Sequence, residues 1–188
     1  ILTRITFDEG EDNFPVWTPD GRRIVYRSSA NGMNYDIKRK AADGSGQAEK
    51  IGSMPDLPGP FCWSKDGKAL LSWDLTLSPY QTDITMMSME TDHAIKPLLK
   101  EKHNEDHPRI SPSGRWLAYA SNESGRNEVY VRPFPQVNEG RWQISIGGGS
   151  GPLWSPDGSE LFYRNAESVM VVPVETEPVF KAGKPREL

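Results

Sequence analysis

The sequence predicts an all-β fold, a β-propeller of four-stranded antiparallel blades with four blades in this chain, and three observations carry the prediction. A short phrase recurs as Trp17-Thr18-Pro19-Asp20-Gly21, Trp63-Ser64-Lys65-Asp66-Gly67, Ile110-Ser111-Pro112-Ser113-Gly114 and Trp154-Ser155-Pro156-Asp157-Gly158. The glycines that close it are 46, 47 and 44 residues apart, a period that belongs to blade-sized repeats. Short apolar, aromatic and β-branched runs follow each phrase between polar loops, which is strand rather than helix patterning.

Each phrase reads as a hairpin corner. An apolar residue ends a first strand, Ser or Thr with Pro enters the turn, Asp bonds its own backbone, and Gly accepts the positive φ that closes it. Second strands follow in Ile24-Val25-Tyr26, Leu70-Leu71-Ser72-Trp73, Leu117-Ala118-Tyr119 and Leu161-Phe162-Tyr163. Third strands lie at 35–39, 82–86, 128–132 and 168–172. More polar fourth strands lie at 49–51, 95–99, 141–146 and 185–188. Four strands with an increasingly polar outer edge make a propeller blade. The best helix candidate, residues 87–100, contains Pro97, and its register gives 95–99 to a fourth strand.

These repeats resemble the TolB-type, WD-like propeller family, whose signature P-x-W-S-P-D-G precedes an apolar strand and a later I-Y/W-V strand. The resemblance spans nearly all 188 residues. More narrowly, the segments 116–126, 129–135 and 153–164 are similar to the propeller half of bacterial membrane-associated serine/threonine kinases and related regulators. The resemblance implies a non-catalytic protein- or peptide-binding module with a sensory or scaffolding role. The alternative is the substrate-gating propeller of a prolyl-peptidase-like hydrolase whose catalytic domain lies outside this chain. It also implies a periplasmic or extracytoplasmic location. Lys65 in place of Pro, Ile110 in place of Trp and Ser113 in place of Asp depart from the pattern; Ser makes the turn bond more weakly than Asp.

The repeat logic divides the chain into an outer strand of a preceding or closing blade at 1–13, then blades at 14–54, 55–103, 104–147 and 148–188. Residues 2–7 read as that outer strand without its inner partners, so the chain is expected to be part of a longer protein and a larger ring. A propeller hides its edges by closing. A homodimer that completes a larger ring, a closed four-blade ring and an open arc all remain open.

Net charge is −4, and no concentrated basic face is legible, which argues against a nucleic-acid partner. The apolar runs are strand-sized, so this segment is not expected to insert in a membrane. Cys62, the one cysteine, cannot form an internal disulfide and reads as a small buried residue between Phe61 and Trp63. No Gly-x-Ser-x-Gly elbow, phosphate-cradling loop or zinc-finger spacing is found, so no catalytic residue and no cofactor is assigned. The tryptophans at the head of the phrase read as inter-blade packing.

The most suggestive polar run is His103-Asn104-Glu105-Asp106-His107, followed by Pro108 and Arg109. His103 and His107 are weak candidates for a divalent metal, because neutral imidazole and carboxylate oxygen both suit zinc. By the geometry of the family, connecting loops at 8–13, 55–59, 102–107 and 147–151 gather on one face. They bring Asp8, Glu9, Glu11, Asp12, Asp56, Glu105 and Asp106 into an acidic mouth, with Arg109 the cation beside it. Glu11, Asp12, Asp56, His103, Glu105, Asp106, His107 and Arg109 are therefore the candidate partner-binding residues. Asp36 and Asp83 share one repeat position at the start of third strands, where a structural role for loop backbone is expected.

Overall fold

The computed structural model describes residues 3–7, 9–29, 35–54, 59–77, 80–90 and 92–188. Its elements are all strands. The first blade is β1 (Glu11–Trp17), β2 (Arg23–Ser29), β3 (Tyr35–Ala41) and β4 (Glu49–Met54), and the second is β5 (Gly59–Trp63), β6 (Ala69–Leu77), β7 (Tyr80–Ser88) and β8 (Ile95–Leu99). The third is β9 (Glu105–Ile110), β10 (Trp116–Ser121), β11 (Glu128–Pro133) and β12 (Trp142–Gln143). The fourth is β13 (Ser150–Trp154), β14 (Glu160–Asn165) and β15 (Ser168–Glu175), with β16 (Lys181–Ala182) and β17 (Arg186–Glu187) both pairing onto β15. Within each sheet the strands follow chain order.

The repeated phrase builds the corner that the sequence predicts. Thr18 Oγ1 donates to Asp20 Oδ1 at 2.6 Å, and the same oxygen accepts from the Arg22 N–H at 3.0 Å. Gly21 turns the chain at φ 67°, where a Cβ would be strained. Ser64 with Asp66 and Ser155 with Asp157 repeat the bond at 2.6 Å. In the third corner Ser113 replaces Asp, and the contacts lengthen to 2.9 Å from Ser111 and 3.4 Å from the Arg115 N–H.

By contacts the chain forms two compact units, Ile1–Gln81 with Thr85–Lys96, and Thr82–Ile84 with Pro97–Leu188. In the first, Val25, Ile37, Ile51, Leu70 and Met87 form a buried core with Trp63, Met89 and Ile95 packed against it. In the second, the core joins Trp116, Ala118, Val129 and Val131 to Trp154, Leu161, Tyr163, Val172, Val174 and Phe180. All six positions of β10 are buried, the pattern of a strand covered on both faces.

Several expectations change. Residues 3–7 form no strand, and Arg4 Nε donates to the Thr6 carbonyl at 2.6 Å. The connecting loops are shorter than expected, because first strands reach beyond a bulge: β1 begins at Glu11, β9 at Glu105 and β13 at Ser150. In the second blade the second and third strands are long, since β6 runs to Leu77 and β7 starts at Tyr80. The fourth strand expected at 141–146 shrinks to Trp142–Gln143. Cys62 is half-buried rather than buried. Trp154 is buried as expected, but Trp17 is 59% exposed. Leu2, Asp8, Asp56 and Pro79 lie outside the described residues.

Candidate functional site

The bulge that lengthens the first strands also places the candidate histidine. On β9, His107 and Pro108 together oppose Tyr119, while Asp106 pairs with Ala120 and Arg109 with Ala118. The same irregularity interrupts β1 between Asn13 and Val16 and β13 between Ser150 and Leu153. Phe14, His107 and Gly151 each stand before a proline with φ between 52° and 58°. His107 therefore owes its backbone to the repeat, and such bulges re-aim a side chain out of the ladder. Its side chain is 47% exposed, with Nδ1 2.7 Å from Asp106 Oδ1.

Behind this rim, the second unit holds a buried polar network. Arg132 Nη2 bonds Glu101 Oε1 at 2.7 Å, its Nε donates to the Tyr119 hydroxyl at 2.7 Å, and its Nη1 donates to the Val137 carbonyl at 3.3 Å. A buried guanidinium needs such complete pairing. Burial pushes the Tyr119 hydroxyl above its ordinary range. The connector ahead of β9 is tied in from three sides: Asn104 N–H donates to Asn122 Oδ1, Thr82 N–H to Asn104 Oδ1, and Glu101 N–H to Glu105 Oε2.

Glu105 is the unusual member. It is 1% exposed, and its Oε1 meets no hydrogen-bond partner among the described residues. Burial, reinforced by the charges of Glu101 and Asp83, pushes its carboxyl up to about 7, against the opposing pull of the Glu101 N–H and Arg132. Asp83 is in turn 3.6 Å from Lys100 Nζ.

The second unit thus brings together His103, Glu105, Asp106, His107 and Arg109, but not in equal roles. Glu105 faces inward, whereas Asp106 and His107 face outward as a pair. His103 is half-buried. Arg109 Nη1 donates to the Pro108 carbonyl at 3.3 Å, and its own carbonyl accepts from Trp154 Nε1 at 3.0 Å. In the first unit Glu11 and Asp12 lie on β1 opposite Ser29 and Ser28. Among the described residues no group of three His, Cys, Asp or Glu side chains is arranged to hold a metal ion.

One recurring acid escaped the sequence reading. Asp36 pairs with Ser28, and Glu128 pairs with Ser121, which places Glu128 at the repeat position of Asp36. Asp36 accepts from Ser53 at 2.8 Å and faces Lys50 at 2.9 Å. Glu128, 2% exposed, accepts from Ser145 and from the Gly147 and Gly148 N–H groups at 2.9 Å. A Cβ on Gly149 would lie 2.3 Å from Ser145 Oγ, so the connector fits closely round this carboxylate. The structural role expected at this position is what these bonds describe. The change from Asp to Glu hid the third instance.

No protein-family profile matches the chain. In structure, it is similar to TolB from Acinetobacter baumannii, with a TM-score of 0.69 and 21% identity over 95% of this chain and 45% of that one. A candidate TolB from Agrobacterium tumefaciens matches with a TM-score of 0.70 and 18% identity, over 96% of this chain and 69% of that one. The blades are TolB-like β-propeller blades. In sequence, the propeller is 23% identical over 167 residues to an uncharacterized peptidase, YuxL, of Bacillus subtilis, covering 67% of this chain. It spans about a quarter of that relative's length. Among the described residues no helix is long and apolar enough to cross a membrane.

Proposed function

We propose that this chain is a non-catalytic propeller module that binds a protein or peptide in a sensory or scaffolding role. The observation that carries the reading is the rim at the head of β9. There an exposed Asp106–His107 pair is presented by a bulge and backed by a network whose hydrogen bonds are internal. A fixed backbone with solvent-facing polar groups suits recognition, since little ordering is needed on binding. The TolB-like fold supports the same reading.

Selection of a peptide-display library on the folded chain tests it. A selected peptide is expected to lose at least about tenfold in affinity to Asp106→Asn combined with His107→Ala, the range for losing a hydrogen bond to a charged group. Peptides that bind the double variant unchanged would move the site elsewhere.

A second reading follows from the likeness to the Bacillus subtilis peptidase. As an accessory propeller, this chain would gate substrate for a hydrolase domain in a longer protein. That longer protein would then cleave amide substrates, and this chain alone would not. Self-association to complete a larger ring belongs to the proposal as well, and light scattering over a wide concentration range reads it.

A further inference from the structure

The equivalent space between neighbouring blades is built from opposite chemistry in the two units. In the second unit three positions on one face of the third blade are Trp116, Val131 and Trp142. They are set by the register in which Ala118 pairs with Val131 and Val131 with Trp142. Phe180 closes on them, with ring centroids 5.1 Å from Trp116 and 5.4 Å from Trp142. The Trp116 indole N–H donates to the Thr176 carbonyl, and that of Trp154 to the Arg109 carbonyl. Every indole donor there has an acceptor in the protein, apart from that of Trp142, which lies in a partly buried position.

At the matching positions the first blade has Arg23, Arg39 and Glu49, because Val25 pairs with Arg39 and Arg39 with Glu49. In place of an aromatic plug lies a cavity of about 390 Å³, lined by Arg22, Arg23, Arg39 and Asp20 on one side and by Trp63 and Met89 on the other. Trp63 occupies the same place in its phrase as Trp154, yet its buried Nε1 has no hydrogen-bond partner among the described residues. Arg39 is held by Glu49 at 2.8 Å, with Arg23 3.9 Å from the same carboxylate. The Asp20 carboxylate is taken up by the turn, bonded to Thr18 and to the Arg22 N–H. The Arg22 guanidinium makes no hydrogen bond among the described residues.

We infer that this cavity between the first two blades binds a carboxylate carried on an apolar group. Three guanidinium groups against the carboxylates of Asp20 and Glu49 leave one positive charge, which matches a monoanion rather than a phosphate dianion. The free donors are N–H groups only. A guanidinium presents a planar fork that fits a carboxylate. Trp63 and Met89 form the wall for the apolar part. The ligand is either a free small carboxylic acid or the C-terminus of a peptide ending in an apolar residue. The site uses none of the rim residues proposed above and stands or falls apart from them.

Calorimetric titration of the whole chain with N-acetyl-leucine, with acetyl-Gly-Gly-Leu and with the C-terminal amide of that peptide tests the inference. At least one free acid is expected to bind saturably, and the peptide amide at least about tenfold more weakly than the peptide acid, as the loss of a charge-assisted bond implies. Binding of the peptide acid alone would identify a chain terminus as the ligand, and equal binding of N-acetyl-leucine a free acid. Arg22→Gln, at an exposed position, should weaken binding about tenfold. Absence of saturable binding by both acids, preference for inorganic phosphate, or affinity indifferent to Arg22→Gln would overturn it.

Discussion

Glu105 shows how far one residue's chemistry departs from what its letter suggests. The sequence places it among acidic loop residues, where it would be ionised and solvated. In the fold it opens β9, 1% exposed, facing Glu101 and Asp83, with Arg132 as the opposing charge. Its carboxyl is pushed from 4.5 up to about 7, so the native state keeps a proton that the unfolded chain loses. Stability from this group is then fully present below about pH 4.5. It falls as pH rises towards 7, by up to about 1.4 kcal/mol per pH unit, and levels off above that. Glu105→Gln keeps a neutral side chain of the same shape and should remove this slope, raising the urea midpoint at pH 7 more than at pH 5. Parallel pH profiles for the two proteins between pH 5 and 7 would refute the burial argument. The carboxyls of Asp20, Asp66 and Asp157 do not interfere, because their turn hydrogen bonds hold them low, Asp157 at about 2.

At the scale of the element, the hairpin corner is almost wholly a sequence property. Ser or Thr, Asp and Gly at fixed spacing make the same bonds in three blades, and the fourth instance is weaker where its letters differ. Ser111 and Ser113 are 2.9 Å apart, against 2.6 Å for the Ser–Asp pairs, and the backbone bond from Arg115 stretches to 3.4 Å. Ser113→Asp should therefore stabilise the protein by about 0.5–1 kcal/mol, in the range of consensus substitutions. Thermal unfolding reads this as a rise in Tm, and a fall would mean that the third corner is tuned to its serine. Strand ends are less legible. Glu11, Glu105 and Ser150 begin strands that read as loops, because pairing continues past a bulge whose signal is only a residue before proline. The register of that bulge, rather than local propensity, also sets His107 beside Asp106.

At the scale of the whole molecule, the two units have cores of different character. The second packs Trp116, Trp154 and Phe180 at 8% exposure or less, with Trp142 against them; the first relies on aliphatic residues and leaves Trp17 59% exposed. Aromatic side chains bury more area than aliphatic ones and stabilise accordingly. Native-state hydrogen exchange should find the slowest amides in β10, β11 and β14, with those of β2 and β6 opening at lower free energy. Equal protection would show one cooperative block instead.

The repeat phrase, its spacing and the strand runs between them determined by themselves that this chain is all-β, how its blades are ordered and where they turn. Those features depend on backbone geometry within a few residues, which local letters control. Only the tertiary structure decided that Glu105 is buried and Asp106 is not, that Glu128 belongs with Asp36, and that Trp63 and Trp154 have different fates. Each of these depends on what a neighbouring strand or blade places opposite a side chain. Arg39 and Val131 hold the same place on their third strands, and only their packing partners make one a cavity wall and the other part of a core.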